Sequence, residues 1–145
     1  LQLNNKLPHD VSIAEDGMPI TAGKVLIAPG DIHSGIIKRS GLYYARLIEG
    51  NPVGFHKPAV NILFQSASKI ADPSILGVIL TGMGEDGAKG MALMRKNGCR
   101  TLGQDEQSSI VYGMPKKAFE LGGVEKQFSM SEIPQKLIEF GEGKY

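Results

Sequence analysis

Ile75-Leu76-Gly77-Val78-Ile79-Leu80-Thr81-Gly82-Met83-Gly84-Glu85-Asp86-Gly87-Ala88-Lys89-Gly90 runs from a short apolar segment into a glycine-rich turn and on into a helical pattern. The apolar segment reads as a buried parallel strand, and the turn as the structure at its carboxyl end, where ligands and catalytic groups of open α/β sheets collect. Four glycines in the ten residues from Thr81 to Gly90 allow positive φ and close backbone approach. The adjacent acids Glu85 and Asp86 sit where a helix begins and negative charge is favoured.

Working outward, the helix that follows puts Gly87, Met91, Met94 and Gly98 on one side and Lys89 and Lys96 on the other, and its glycines are expected to let it lie close to the sheet. Gly98 is its expected C-cap, followed by a parallel strand over 99–103 that carries Gln104, Asp105 and Glu106 at its end. Pro115 opens another helix, which Gly122-Gly123 ends, and 124–128 alternates as an edge strand does. A last helix is expected with Ser131 as N-cap and with Ile133, Leu137 and Phe140 buried.

Upstream, 58–70 places Val60, Leu63, Phe64, Ala67 and Ile70 at helical spacing. Residues 34–37 and 42–48, joined by Lys38-Arg39-Ser40-Gly41, read as a hairpin, 11–14 and 25–28 as strands, and 1–6 as the tail of a helix. Strands alternating with helices through the second half predict an α/β fold: a mostly parallel, doubly wound sheet with helices on both faces, plus the antiparallel hairpin. The 145 residues suit one compact domain.

A formal net charge of +1 with dispersed Lys and Arg gives no support to a nucleic-acid partner. No apolar run approaches the roughly 20 residues of a membrane-spanning helix, so no membrane insertion is expected. Cys99 is the single cysteine, which fits a reducing, cytoplasmic compartment and a buried structural thiol. Met91 and Met94 belong to a core stripe, and no metal site or cofactor is expected.

The turn itself admits several readings. Gly82-x-Gly84-x-x-Gly87 matches a dinucleotide-binding pattern, with Asp105 18 residues beyond the third glycine. Two carboxylates in that loop would repel a pyrophosphate. Alternatively the glycines only shape a tight turn, and the acids cap the following helix. A third use is an acid, Asp86, set among small residues and able to orient an imidazole in a Ser-His-Asp arrangement.

Residues 77–88 closely resemble the signature of the protein-glutamate methylesterases of bacterial chemotaxis, the CheB family. The likeness extends to Ile27-Ala28-Pro29-Gly30-Asp31-x-His33, to 56–64 from His56-Lys57-Pro58 to Phe64, and to Gln104-Asp105-Glu106 with Val111-Tyr112-Gly113-Met114-Pro115, in the family's order. The resemblance implies hydrolysis of methyl esters on glutamates of chemoreceptor helices, with methanol released and glutamine deamidated at the same sites. By the same resemblance Asp86 is the triad acid, and the Met83 backbone N–H helps to form the oxyanion hole. His33 either lines the substrate cleft or is a surface-loop histidine, and Asp105, Tyr112 and Met114 are further candidates for the cleft rim.

The family's nucleophilic serine lies in a Gly-x-Ser-Thr-Gly-Gly turn and its histidine in a Gln-His-Met-Pro segment. Neither motif occurs in these 145 residues. Ser108, Ser109 and Ser131 sit on no glycine-flanked elbow, and both missing groups are expected upstream of Leu1. The chain is therefore expected to be the C-terminal part of the catalytic domain, inert by itself and prone to self-association through an exposed sheet edge. The family's regulatory receiver domain would also lie outside it. A non-catalytic interaction domain of the same fold is the remaining alternative.

Overall fold

The computed structural model describes residues 9–145; the helix tail expected over 1–6 lies outside them. Element order is β1 (Asp10–Ile13), β2 (Pro19–Ile20), β3 (Lys24–Ile27), β4 (His33–Arg39), β5 (Leu42–Ile48), α1 (Val60–Ile70), β6 (Leu76–Ile79), α2 (Ala88–Lys96), β7 (Arg100–Gln104), α3 (Met114–Glu120), β8 (Lys126–Phe128) and α4 (Ile133–Gly141). The expected alternation of strands and helices is present from α1 onward. β6, β7 and β8 form a parallel sheet, and β1 pairs with β3 in parallel, Val11 opposite Val25. The hairpin is β4–β5, turned at Ser40-Gly41, and β2 adds to β5 as a third antiparallel strand that the sequence does not announce. Among the described residues, β6 makes no ladder on the side away from β7.

The core gathers Phe64 and Ala67 of α1, Ile79 of β6, Ala88, Met91 and Met94 of α2, Cys99, Ala118 of α3 and Val124. Met91 and Met94 are fully buried, each worth about 2 kcal/mol of apolar transfer. This is the side of α2 that the sequence periodicity picks out. The Cys99 thiol is buried and donates to the Ala67 carbonyl at 3.6 Å, and burial pushes its pKa up.

Three local expectations are corrected. Gly90 brings α2 against α1 rather than against the sheet: a Cβ there would stand 2.7 Å from Phe64 Cβ and 3.1 Å from the Asn61 carbonyl oxygen. Where α2 meets the sheet the glycine is on the strand: a Cβ on Gly77 of β6 would stand 2.9 Å from Met94 Cε. Helix α4 is preceded by Glu132 rather than Ser131. Ser129 makes the turn instead, its Oγ donating to Glu132 Oε1 at 2.7 Å while its own N–H is bonded to the same carboxylate. Leu137 is 44% exposed, so α4 buries Ile133 at its start and little along its length.

The loop between α1 and β6 is tied to the hairpin through Asp72. Its Oδ2 accepts from Lys38 Nζ at 2.8 Å and from the Tyr43 hydroxyl, and its Oδ1 from the Ser74 N–H and hydroxyl. The Lys38 ammonium, then Tyr43 and Ser74, hold the Asp72 carboxyl well below the usual carboxylate range. A carboxyl depressed on folding adds stability above its unfolded value, near pH 4, and loses it as pH falls further toward the folded value. Asp72→Asn should therefore flatten the fall in melting temperature between about pH 5 and pH 2, read by circular dichroism melts. An equally steep fall in the variant would contradict this anchoring role.

Candidate functional site

The β6–α2 turn is held from two sides. On one side Gln104, buried at the end of β7, accepts the Thr81 N–H at 2.7 Å through Oε1 and donates from Nε2 to the Ser108 carbonyl at 2.8 Å. Thr81 Oγ1 bonds both the N–H and the carbonyl of Val111. Gly82 continues the pairing: its N–H donates to the Val111 carbonyl at 3.0 Å, and its carbonyl accepts from Met114 N–H at 2.8 Å. Two motifs 30 residues apart thus form one surface.

On the other side stands α1. Asp86 is 8% exposed, and its carboxylate accepts Val60 N–H at 2.7 Å (Oδ2) and Asn61 N–H at 3.0 Å (Oδ1). The acids are therefore not caps of their own helix: α2 begins after Gly87 with no side-chain cap, and Glu85 is exposed. Asp86 satisfies the opening N–H groups of α1, which intrahelical bonding leaves free, and its negative charge suits that helix end. Gly87 makes the approach possible. It sits at φ 96°, and a Cβ on it would lie 2.9 Å from Val60 Cγ1. Asn61 completes the joint by accepting Gly90 N–H through Oδ1 at 2.9 Å.

His33 belongs to the same joint. It is 2% exposed, so it is neither a cleft wall nor a surface-loop residue. Its Nδ1 accepts Ala59 N–H at 3.1 Å, which leaves the proton on Nε2, from where it donates to the Asn51 carbonyl at 2.8 Å. Three successive backbone N–H groups at the start of α1, those of Ala59, Val60 and Asn61, are taken by side chains from β4 and the β6–α2 turn.

The other sequence candidates are distributed around the turn. Met83 is 81% exposed, and its N–H donates to no other described residue. Met114 is half-buried and bonded through its N–H to the Gly82 carbonyl, and Tyr112 is half-buried with its hydroxyl accepting from Gln127 Nε2. Asp105 is engaged locally, its Oδ1 accepting from Ser108 N–H at 2.9 Å and from the Ser108 hydroxyl at 2.6 Å. That closes the 105–108 turn.

A cavity of about 570 Å³ opens beside the turn. Asp86, Gly84 and Glu85 line it together with Phe55, His56, Lys117 and Leu121. The last four are site residues that sequence reasoning did not assemble, because they come from a loop and a helix far apart in the chain. The signal available for two of them was that His56 opens the 56–64 motif leading into α1, with Phe55 immediately before it. Phe55 is fully exposed and held at φ 70°, uncommon for an aromatic residue.

A sequence profile of the CheB methylesterase family matches residues 1–137. A curated relative from Hahella chejuensis, named protein-glutamate methylesterase/protein-glutamine glutaminase 2, is 45% identical over 97% of this chain and 38% of its own length. One from Photobacterium profundum, named protein-glutamate methylesterase/protein-glutamine glutaminase 1, is 48% identical over 95% of this chain and 39% of its own length. The chain thus spans about two fifths of the length of these relatives. The crystal structure of the Thermotoga maritima CheB methylesterase catalytic domain superposes with a TM-score of 0.82 at 36% identity, covering 88% of this chain and 67% of that one. Motifs that are remote in sequence and joined in space, and a profile that runs through nearly every residue, agree: the chain belongs to the CheB methylesterase family.

Proposed function

We propose that this chain supplies the acid and part of the oxyanion site of a Ser-His-Asp hydrolase that cleaves methyl esters of glutamate side chains on the cytoplasmic helices of chemoreceptors. The observation that carries the reading is Asp86: a buried carboxylate at the carboxyl end of a parallel strand, aimed by two backbone N–H groups, beside a cavity. A carboxylate can accept more than two hydrogen bonds, so one remains for the Nδ1–H of a histidine. That histidine takes the serine proton as Oγ attacks the ester carbonyl, and returns it to the departing methoxide, giving methanol and an acyl-enzyme that water hydrolyses. The Met83 N–H, free of other described partners, serves the oxyanion, a contribution of about 3–4 kcal/mol per donor.

The names of the relatives add glutamine deamidation, which the same acyl transfer performs with ammonia as the leaving group. The serine and histidine come from sequence outside these 145 residues, so the chain alone is inert. A receiver domain in the same protein and cytoplasmic location complete the reading, and the open edge of β6 gives the isolated chain a route to self-association. Among the described residues no helix is long and apolar enough to cross a membrane. A dinucleotide at Gly82, Gly84 and Gly87 finds no support, since Glu85 and Asp86 put two carboxylates on the cavity wall there.

The test is methanol release from methyl-labelled chemoreceptor by the full-length protein. Release that depends on the protein is expected, and its absence with a competent, methylated receptor would overturn the proposal.

A further inference from the structure

We infer that His33 is a positioning residue for Asp86, acting through the first turn of α1. The inference rests on the triad role proposed for Asp86, and the observations behind it are geometric. Asp86 lies on the β6–α2 turn, yet what aims its carboxylate is α1, through Val60 and Asn61 N–H. What aims that end of α1 is His33: it sits at the start of β4, opposite Ile48 of β5, and accepts the Ala59 N–H immediately before those two donors. Its other nitrogen donates to Asn51 in the segment leading from β5 toward α1. One buried ring therefore ties the hairpin, that segment and the helix start together.

The helix start has no substitute. Ala59, the residue before α1, has no side-chain oxygen to cap it, and no acid stands in the first turn. Without an acceptor from His33, the Ala59 N–H is buried and unpaired, and relieving it moves the peptide that carries the adjacent Val60 donor. Displacement of a catalytic constellation by about 1 Å can cost about 10²-fold in rate.

The two ring nitrogens can be separated by substitution in the full-length protein. H33N puts an amide oxygen where Nδ1 accepts the Ala59 N–H but does not reach Asn51. H33Q reaches Asn51 with an amide nitrogen but leaves Ala59 without its acceptor, and H33L removes both. Methanol release should keep kcat within about 3-fold of wild type in H33N. In H33Q and H33L it should fall about 10- to 100-fold with KM within about 2-fold, even though H33N and H33Q melt at similar temperatures. A kcat that follows melting temperature alone across the three variants, or H33Q as active as H33N, would reduce His33 to a packing residue and overturn the inference.

A second readout is independent of catalysis. The Val60 amide proton in valine-labelled full-length protein should shift in H33L and hold in H33N, and no shift in H33L would likewise sink the coupling. Failure of the triad reading looks different: Asp86→Asn would then leave hydrolysis undiminished, whatever the His33 variants do.

Discussion

Asp86→Asn in the full-length protein is expected to lower kcat for methanol release about 10⁴-fold while KM stays nearly constant, because in the triad role proposed for Asp86 an amide in place of the carboxylate favours the wrong histidine tautomer. The structure adds a second consequence. Both carboxylate oxygens already accept backbone N–H groups, at 2.7 and 3.0 Å. In the Asn variant one of those donors meets an NH₂ group, at a cost of about 1–3 kcal/mol, and Asp86→Ala leaves both without an acceptor. Asp86→Ala would thus confound loss of chemistry with loss of the α1 start. Asp86→Asn is the sharper variant, measured as kcat per folded molecule beside a denaturant melt. Near-native turnover in it would leave Asp86 as a helix cap in trans and nothing more.

Gly90→Val is expected to destabilise the protein by about 3 kcal/mol, at the upper end of what overpacking commonly costs. The added Cβ alone would stand 2.7 Å from Phe64 Cβ and 3.1 Å from a backbone oxygen of α1, neither of which can swing aside as the tip of a flexible side chain can. The helices must separate. For a chain of this size the melting temperature should fall by about 6–12 °C. Gly90→Ala should cost less, since alanine recovers about 1 kcal/mol of helix propensity. Because α1 carries the donors that aim Asp86, turnover should fall in Gly90→Val at temperatures where the protein is still folded. An unchanged melting temperature would show that α1 and α2 have slack between them.

Much of the architecture was legible because its signals are local. The apolar run before Thr81, the Met91–Met94 stripe and Pro115 at the head of α3 each act within a turn or two of chain, and each stands where the pattern puts it, while the C-cap of α2 is Asn97, one residue before the expected Gly98. The errors came where a local pattern met a tertiary competitor. The glycines of α2 were expected to serve the sheet, and Gly90 faces α1 instead. Leu137 has core periodicity and stays 44% exposed, because α4 buries little beyond its first turn. Ser131 has the chemistry of an N-cap, but Ser129 and Glu132 already close that turn between themselves.

By itself the sequence determined the order of elements in the second half, the hairpin, and the presence of a glycine turn whose two acids make a poor phosphate cradle. Hydrophobic period and turn chemistry act over a few residues, and they specify those features wherever the chain ends up. Only the tertiary structure decided what the acids do. Glu85 and Asp86 are neighbours with the same charge, yet one is exposed and the other is buried on the first turn of a helix 25 residues upstream. The same holds for His33, which reads as a loop histidine until the hairpin sets it beside the Ala59 N–H. Both assignments follow from which unpaired backbone groups the fold brings within reach of a side chain, and no window of sequence contains that information.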